Sequence, residues 1–251
     1  MSKINDIKLG LKFSVSYFSI LPINFKENDD LSKKDILNYM LFFFPFVGFI
    51  LGLITLTILN LTTNLAWISS IIAAVVYMVL YGFLHTEAIL DVVDAIYAKH
   101  SNKDAYEVIK DPTVGAMGVL YSVVFVILKI SFLVFLFKNH YEFHLLVVLM
   151  LSRLMVLYNI KLFDFKSYFV ETLKKSLSSN CLIFSTIFVS ILSIFIIGFK
   201  FLWILILSFI FLIVVTNFLK NKLGFLNGDT IGATLELNEL FMLFTILIFF
   251  V

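Results

Sequence analysis

Runs of apolar residues broken by short polar stretches recur seven times along the chain, at roughly 41–61, 65–84, 119–137, 143–160, 181–198, 201–218 and 236–251. A helix crosses a bilayer with about 20 apolar residues, so each run predicts a transmembrane helix. The second run does not stop at its polar boundary. Ile89, Leu90, Val92, Val93 and Ile96 continue it at helical spacing, interleaved with Glu87, Asp91 and Asp94. One long helix is therefore predicted, with an acidic stripe on its protruding end, since positions three and four apart share a helix face. Residues 7–25 are less apolar, with Lys8, Lys12 and the following Lys26. They lack a small-residue cleavage site and predict an amphipathic helix on the membrane surface rather than a secretory signal. Ser32 predicts the cap of a short helix to Tyr39, and Pro45 falls at the start of the first span. Ser101 to Asp104 predicts a capped helix to about Lys110, ended by Asp111-Pro112.

Composition agrees with this pattern. The chain is 61% hydrophobic and 14% charged, where a soluble domain has about 45–50% and about 25%. The expected fold is all-α: a polytopic membrane protein of about seven spans, forming a single integral membrane domain over 1–251 with no soluble appendage. Cys181 is the lone cysteine and lies in an apolar run, which predicts a packed core thiol.

Charge sets the orientation. Seven spans place connections alternately on two sides, and 15 lysines fall on the side holding the N-terminus, residues 85–118, 161–180 and 219–235. The other side has Lys138 and Lys200; Lys129 and Arg153 lie within spans. The positive-inside rule makes the lysine-rich side cytoplasmic. Of 17 acids only Glu142 lies clearly on the opposite side. A transporter usually holds its ionisable groups near the midplane on broken helices. Acids gathered at one surface favour an enzyme working at the cytoplasmic interface.

The candidate chemistry lies in three places. Glu87, Asp91 and Asp94 repel one another on one stripe unless a cation sits among them, and oxygen ligands suit a hard divalent metal. Asp111-Pro112 is followed by Gly115 and Gly118, which allow a tight backbone close to a phosphate. In the last loop Asn227-Gly228 is a turn signal, after which Asp229, Gly232, Glu236 and Glu239 share a helical face. His100, His140 and His144 have no metal-ligand spacing.

These blocks together resemble the adenosylcobinamide-GDP ribazoletransferase family, also called cobalamin (5′-phosphate) synthase. Its Leu-Pro element and Phe-Pro-x-Val-Gly start are matched by Leu21-Pro22 and by Phe44, Pro45, Phe46, Val47 and Gly48. Its His-x-Asp-Gly-x-x-Asp-x-x-Asp-Gly block is matched by His85, Glu87, Ala88, Asp91, Asp94 and Ala95. Its Lys-Asp-Ser-x-x-Gly-x-x-Gly block is matched by Lys110, Asp111, Pro112, Gly115 and Gly118. Gly228, Asp229, Gly232, Ala233, Glu236 and Glu239 match the C-terminal block, and Ser152-Arg153 the arginine of a middle span. The departures are Glu87 for aspartate, Ala88 and Ala95 for glycine, and Pro112 for serine.

The resemblance implies a bacterial or archaeal enzyme of the cytoplasmic (inner) membrane acting late in cobalamin biosynthesis. It implies joining α-ribazole or α-ribazole 5′-phosphate to adenosylcobinamide-GDP: the ribose 3′-hydroxyl attacks the phosphorus attached to cobinamide, and GMP leaves. Mg²⁺ is the implied cofactor, with Glu87, Asp91 and Asp94 as ligands and Glu87 alternatively the base. His85 is a candidate phosphate contact or acid/base, and Lys110, Asp111, Gly115, Gly118, Arg153 and Asp229 are candidates for binding substrate. The bilayer and the two substrates are the expected partners, without nucleic acid; association with other cobalamin-pathway enzymes is left open. The competing readings are a transporter and a CDP-alcohol phosphotransferase. The latter's motif needs a glycine and two aspartates where this chain has Val108, Pro112 and Ala116.

Overall fold

A computed structural model describes residues 3–250, and every regular element in it is helical. Eleven α-helices follow one another: α1 (Lys3–Tyr17), α2 (Lys34–Leu61), α3 (Trp67–Leu80), α4 (Leu84–His100), α5 (Ala105–Val108), α6 (Ala116–Lys138), α7 (Phe143–Leu162), α8 (Tyr168–Ser176), α9 (Ser179–Ile197), α10 (Phe201–Leu223) and α11 (Gly228–Phe249). The protein is a polytopic helical membrane protein. By length and apolarity, Lys34–Leu61, Ala116–Lys138, Phe143–Leu162, Ser179–Leu223 and Gly228–Phe249 are able to cross a bilayer, and α3 with α4 makes a sixth if counted as one broken span. These criteria thus give five or six spans rather than seven. The difference arises because Ser179–Leu223 contains both α9 and α10. These two fold back on each other: Tyr158 of α7 meets Thr186 of α9 at 2.9 Å and the ring of Phe209 of α10 at 5.5 Å.

Helix α7 is the axis of the bundle, with every residue from Leu145 to Leu157 buried. It meets α2 closely because Gly48 and Gly52 present no side chain. A Cβ at Gly48 would lie 2.4 Å from the Leu149 carbonyl oxygen. Small residues allow this approach between membrane helices, where packing rather than hydrophobicity drives association. The outer helices turn apolar side chains outward instead, Phe195 at 87% exposure and Trp203 at 68%, as lipid-facing surfaces do.

Three local expectations are corrected. Helix α2 is continuous from Lys34, so there is no separate short helix to Tyr39, and Pro45 lies inside it. Ser32 bonds Asp30 instead of capping. Helix α1 ends at Tyr17 and packs on α2, Gly10 lying against Tyr39. Most consequential, the long helix expected from the second run into the acidic stripe is broken. Gly82 and Phe83 adopt positive φ of 66° and 54°, and α4 leaves α3 at 78°. The chain entering α2 fixes this corner, the Ile20 N–H donating to the Leu80 carbonyl at the end of α3 (2.9 Å).

Candidate active site

The corner gives α4 its function: it lays the acidic stripe across the ends of α6 and α11 rather than projecting it away from the bundle. Ala88 and Gly232 set how closely α4 meets α11. A Cβ on Gly232 would lie 2.7 Å from that of Ala88 and 3.4 Å from His85 Nδ1. This crossing brings Asp229, the second residue of α11, to the α4 stripe. Asp91 is half-buried and sits in the field of Asp229, Glu87 and Asp94, named by decreasing strength. Residues 138 positions apart in sequence thus share one patch of negative potential.

Beside this patch is a cavity of about 190 Å³, lined by His85 and Ala88 of α4 and by Gly228, Asp229 and Gly232 of α11. Tyr17, Phe18 and Phe169, from the end of α1 and from α8, complete its walls. His85 is buried among the rings of Phe18, Phe44 and Tyr81. The cavity therefore joins an aromatic wall to an acidic rim, a combination suited to a flat apolar group carrying a polar substituent. Ala88 lines it, whereas Ala95 is fully buried away from it. Of the two glycine-to-alanine departures, only the first touches the site.

Asp94 has a different environment. Its carboxylate accepts the backbone N–H groups of Gly115 and Gly118, both at 2.7 Å. These amides open α6, where unpaired N–H groups and the helix dipole favour an anion. A Cβ at either glycine would come within 2.4 Å of that carboxylate. The two glycines, expected to allow a backbone close to a phosphate, here seat the side chain of Asp94. Lys110 and Asp111 lie further along the same loop. Lys110 rests over the Tyr106 ring at 3.9 Å. Asp111 accepts two bonds from Thr113 (2.8 and 2.7 Å), which hold its exposed carboxyl below the usual range. A shallow depression joins Asp94, Asp111 and Gly115 on the flank of α4 away from His85.

The donors Glu87, Asp91 and Asp229 offer only carboxylate oxygen, which is the chemistry of a hard cation. Their positions do not converge: among the described residues no group of three or more His, Cys, Asp or Glu side chains is arranged to hold a metal ion.

Arg153 lies elsewhere than a phosphate contact would. It is 1% exposed and lines none of these cavities. Its guanidinium donates to Glu239 at 2.5 Å, and Glu239 also pairs with Lys129 at 2.8 Å and accepts from Tyr77 (2.7 Å) and Ser152 (3.0 Å). Lys129 pairs with Glu236 as well. Glu236 accepts in turn from Thr86 (3.2 Å), which bonds Tyr81. Two cations and two anions thus neutralise one another inside the bundle, about 12–16 Å along α11 from its start at 1.5 Å per residue. The network ties α3, α6, α7 and α11 together. Through Thr86 it also holds the first turn of α4, between His85 and Glu87. Lys129, marked in the sequence only as a cation within a span, joins Tyr77, Tyr81 and Thr86 here, and Glu236 and Glu239 belong to this network rather than to the acidic face of Asp229. Two unpaired cations within apolar spans were the available signal, because ionisable groups at membrane depth need partners.

The fold is that of a polytopic membrane protein in which carboxylates of α4 and α11 share one acidic patch beside a cavity. Over residues 10–247 the chain matches the family model described as Cobalamin-5-phosphate synthase, and it belongs to that family. It is similar to the adenosylcobinamide-GDP ribazoletransferase of Clostridium tetani, 29% identical with 82% of each chain covered. The enzyme of that name from Brevibacillus brevis is 26% identical over 90% of this chain and 92% of its own. That from Clostridioides difficile is 25% identical with the same coverage. No solved structure matches the chain.

Proposed function

We propose that this protein joins α-ribazole, or its 5′-phosphate, to adenosylcobinamide-GDP, releasing GMP and completing the nucleotide loop of cobalamin. The observation that carries the reading is the meeting of Asp91 and Glu87 on α4 with Asp229 on α11 beside the His85 cavity. Two of the three family blocks that bear acids contribute to one surface patch. A membrane-facing lipid enzyme would use similar acids, but the second half of its motif is absent at Val108, Pro112 and Ala116.

In this reading the ribose 3′-hydroxyl forms a new P–O bond to the phosphorus on cobinamide, the P–O bond to GMP breaks, and GMP takes up the displaced electron pair. Such transfer depends mainly on positioning and charge neutralisation. A carboxylate of the patch, Glu87 or Asp91, takes the hydroxyl proton. The aromatic wall of Phe18, Tyr17 and Phe169 receives the flat base of ribazole, and Asp229 lies where a ribose hydroxyl donates. Were Mg²⁺ bound, Asp91, Glu87 and a third carboxylate from Asp94 or Asp229 would have to draw together to hold it, and it would supply neutralisation of negative charge on the diphosphate. Asp94 would join that set only by leaving the α6 amides, which would then be free for a phosphate. Lys110 and Asp111 border the entry.

We further read the α9–α10 fold-back and the short α3 as separate crossings. They give seven, with the acidic surface facing the cytoplasm of a bacterial inner membrane. The test is to supply membranes containing this protein with adenosylcobinamide-GDP, α-ribazole 5′-phosphate or α-ribazole, and Mg²⁺. Cobalamin phosphate or cobalamin, with GMP, supports the reading. Well-inserted protein that yields no product from either acceptor refutes it.

A further inference from the structure

A second concave feature lies on the lipid side of the bundle, where α6 and α10 part and leave a groove of about 530 Å³. Its floor is Leu237 and Leu240 of α11, and its walls include Val124 and Leu128 of α6 and Phe218 of α10. Val124 and Phe218 are themselves more than half exposed, so the groove opens outward between two spans. Its far wall is the apolar face of α4, including Val92 and Ile96, behind the stripe that bears Asp91.

The two ends of this groove differ in kind. The mouth is formed by Tyr97, Tyr121, His100 and Lys222, at the last turns of α4 and α10 and the second of α6. The tyrosine hydroxyls bond each other at 2.9 Å. Lys222 lies 5.8 Å from the centre of the Phe218 ring and has no carboxylate partner among the described residues. No carboxylate lines the groove anywhere. Below the mouth the lining is hydrocarbon for about 10 Å, from Tyr121 to Leu128 along α6. Tyrosine, histidine and lysine mark the depth of lipid headgroups, and the hydrocarbon below marks that of acyl chains. A site cationic at headgroup depth and apolar beneath it fits an anionic amphiphile.

From this we infer that the groove holds one anionic phospholipid, its phosphate at Lys222 and His100 and one acyl chain lying between α6 and α10 against α4. The lipid fills the gap between α6 and α10 and supports the acid-bearing helix from behind. This inference does not depend on the reaction proposed above.

The test uses the full-length protein in mild detergent, given phosphatidylglycerol and phosphatidylcholine in equal amounts. Retained lipid is read by native mass spectrometry, and the unfolding midpoint is read with each lipid alone. Wild-type protein retains one phosphatidylglycerol in preference by about tenfold or more, worth about one decade in Kd, and phosphatidylglycerol alone raises its midpoint. Lys222→Glu, on an exposed side chain, abolishes both the preference and the rise. Val124→Trp fills the groove and releases the lipid. Equal retention of the two lipids by wild-type protein overturns the inference, as does a preference that survives Lys222→Glu. Should Val124→Trp fail to fold, the Lys222→Glu comparison still decides.

Discussion

Replacing Lys129 by methionine keeps most of the side-chain volume and removes one charge from the centre of the bundle. Lys129 is fully buried and serves both Glu236 and Glu239. Without it, two buried carboxylates share the single guanidinium of Arg153. Removing one partner of a buried ion pair costs about 3–5 kcal/mol, because the other charge is left uncompensated. Against a total stability of about 5–15 kcal/mol this is a large fraction, and it lowers Tm by on the order of 10 °C. The double variant Lys129→Met/Glu236→Gln restores neutrality in the network, and the expected loss then shrinks to less than half. The buried thiol of Cys181, the only cysteine, reports unfolding through its reaction with a thiol-specific fluorophore. A single variant as stable as wild type would show that Lys129 does not neutralise these acids. A double variant no better than the single would show that charge balance is not what the network supplies.

Gly118→Ala places a methyl group against the Asp94 carboxylate and breaks its two amide bonds. Bonds to charged groups are worth about 1.5–3 kcal/mol each, so the unfolding midpoint falls clearly, whereas Gly228→Ala, with open space around it, leaves it nearly unchanged. Thr86→Val removes the hydroxyl that links α4 to Glu236. It lowers product formation severalfold with a loss of about 1 kcal/mol in stability, and Thr86→Ser restores both. Added Mg²⁺ raises the unfolding midpoint of wild-type protein by relieving repulsion among Asp91, Glu87 and Asp229, and fails to do so in Asp91→Asn; a thermal scan with and without the ion decides this.

Much of this architecture was legible in the chain. The apolar runs mark the membrane helices, and the acids clustered between them mark the surface where chemistry is expected. The family blocks pointed to α4 and α11, which the fold brings together. Other features depend on contacts that periodicity does not carry. The break at Gly82–Phe83 is hidden because apolar spacing continues unchanged from Tyr77 through Ile96. Only the approach of Ile20 to Leu80 shows why the chain turns there. Asp94 belongs by spacing to the stripe of Asp91, yet its carboxylate is drawn to α6 by amides 21 and 24 residues away. In the sequence Arg153 lies within an apolar span and Glu239 on the helical face of Asp229, and neither position names its partner. Their burial follows from how α7 sits at the axis, against α11, and from Lys129 completing the charge balance.

In the proposed reaction, acids from α4 and α11 form one catalytic surface. This is tested most directly by measuring GMP release from adenosylcobinamide-GDP and α-ribazole 5′-phosphate by membranes carrying wild-type, Asp91→Asn, Asp229→Asn or Asp164→Asn protein at matched amounts. Asp164 is an exposed acid paired with Lys174 away from the patch. Losses of about a hundredfold or more are expected for the first two variants, the scale of a removed general base, and none for the third. Near-normal release by Asp91→Asn, or an equal loss in all three, would contradict it.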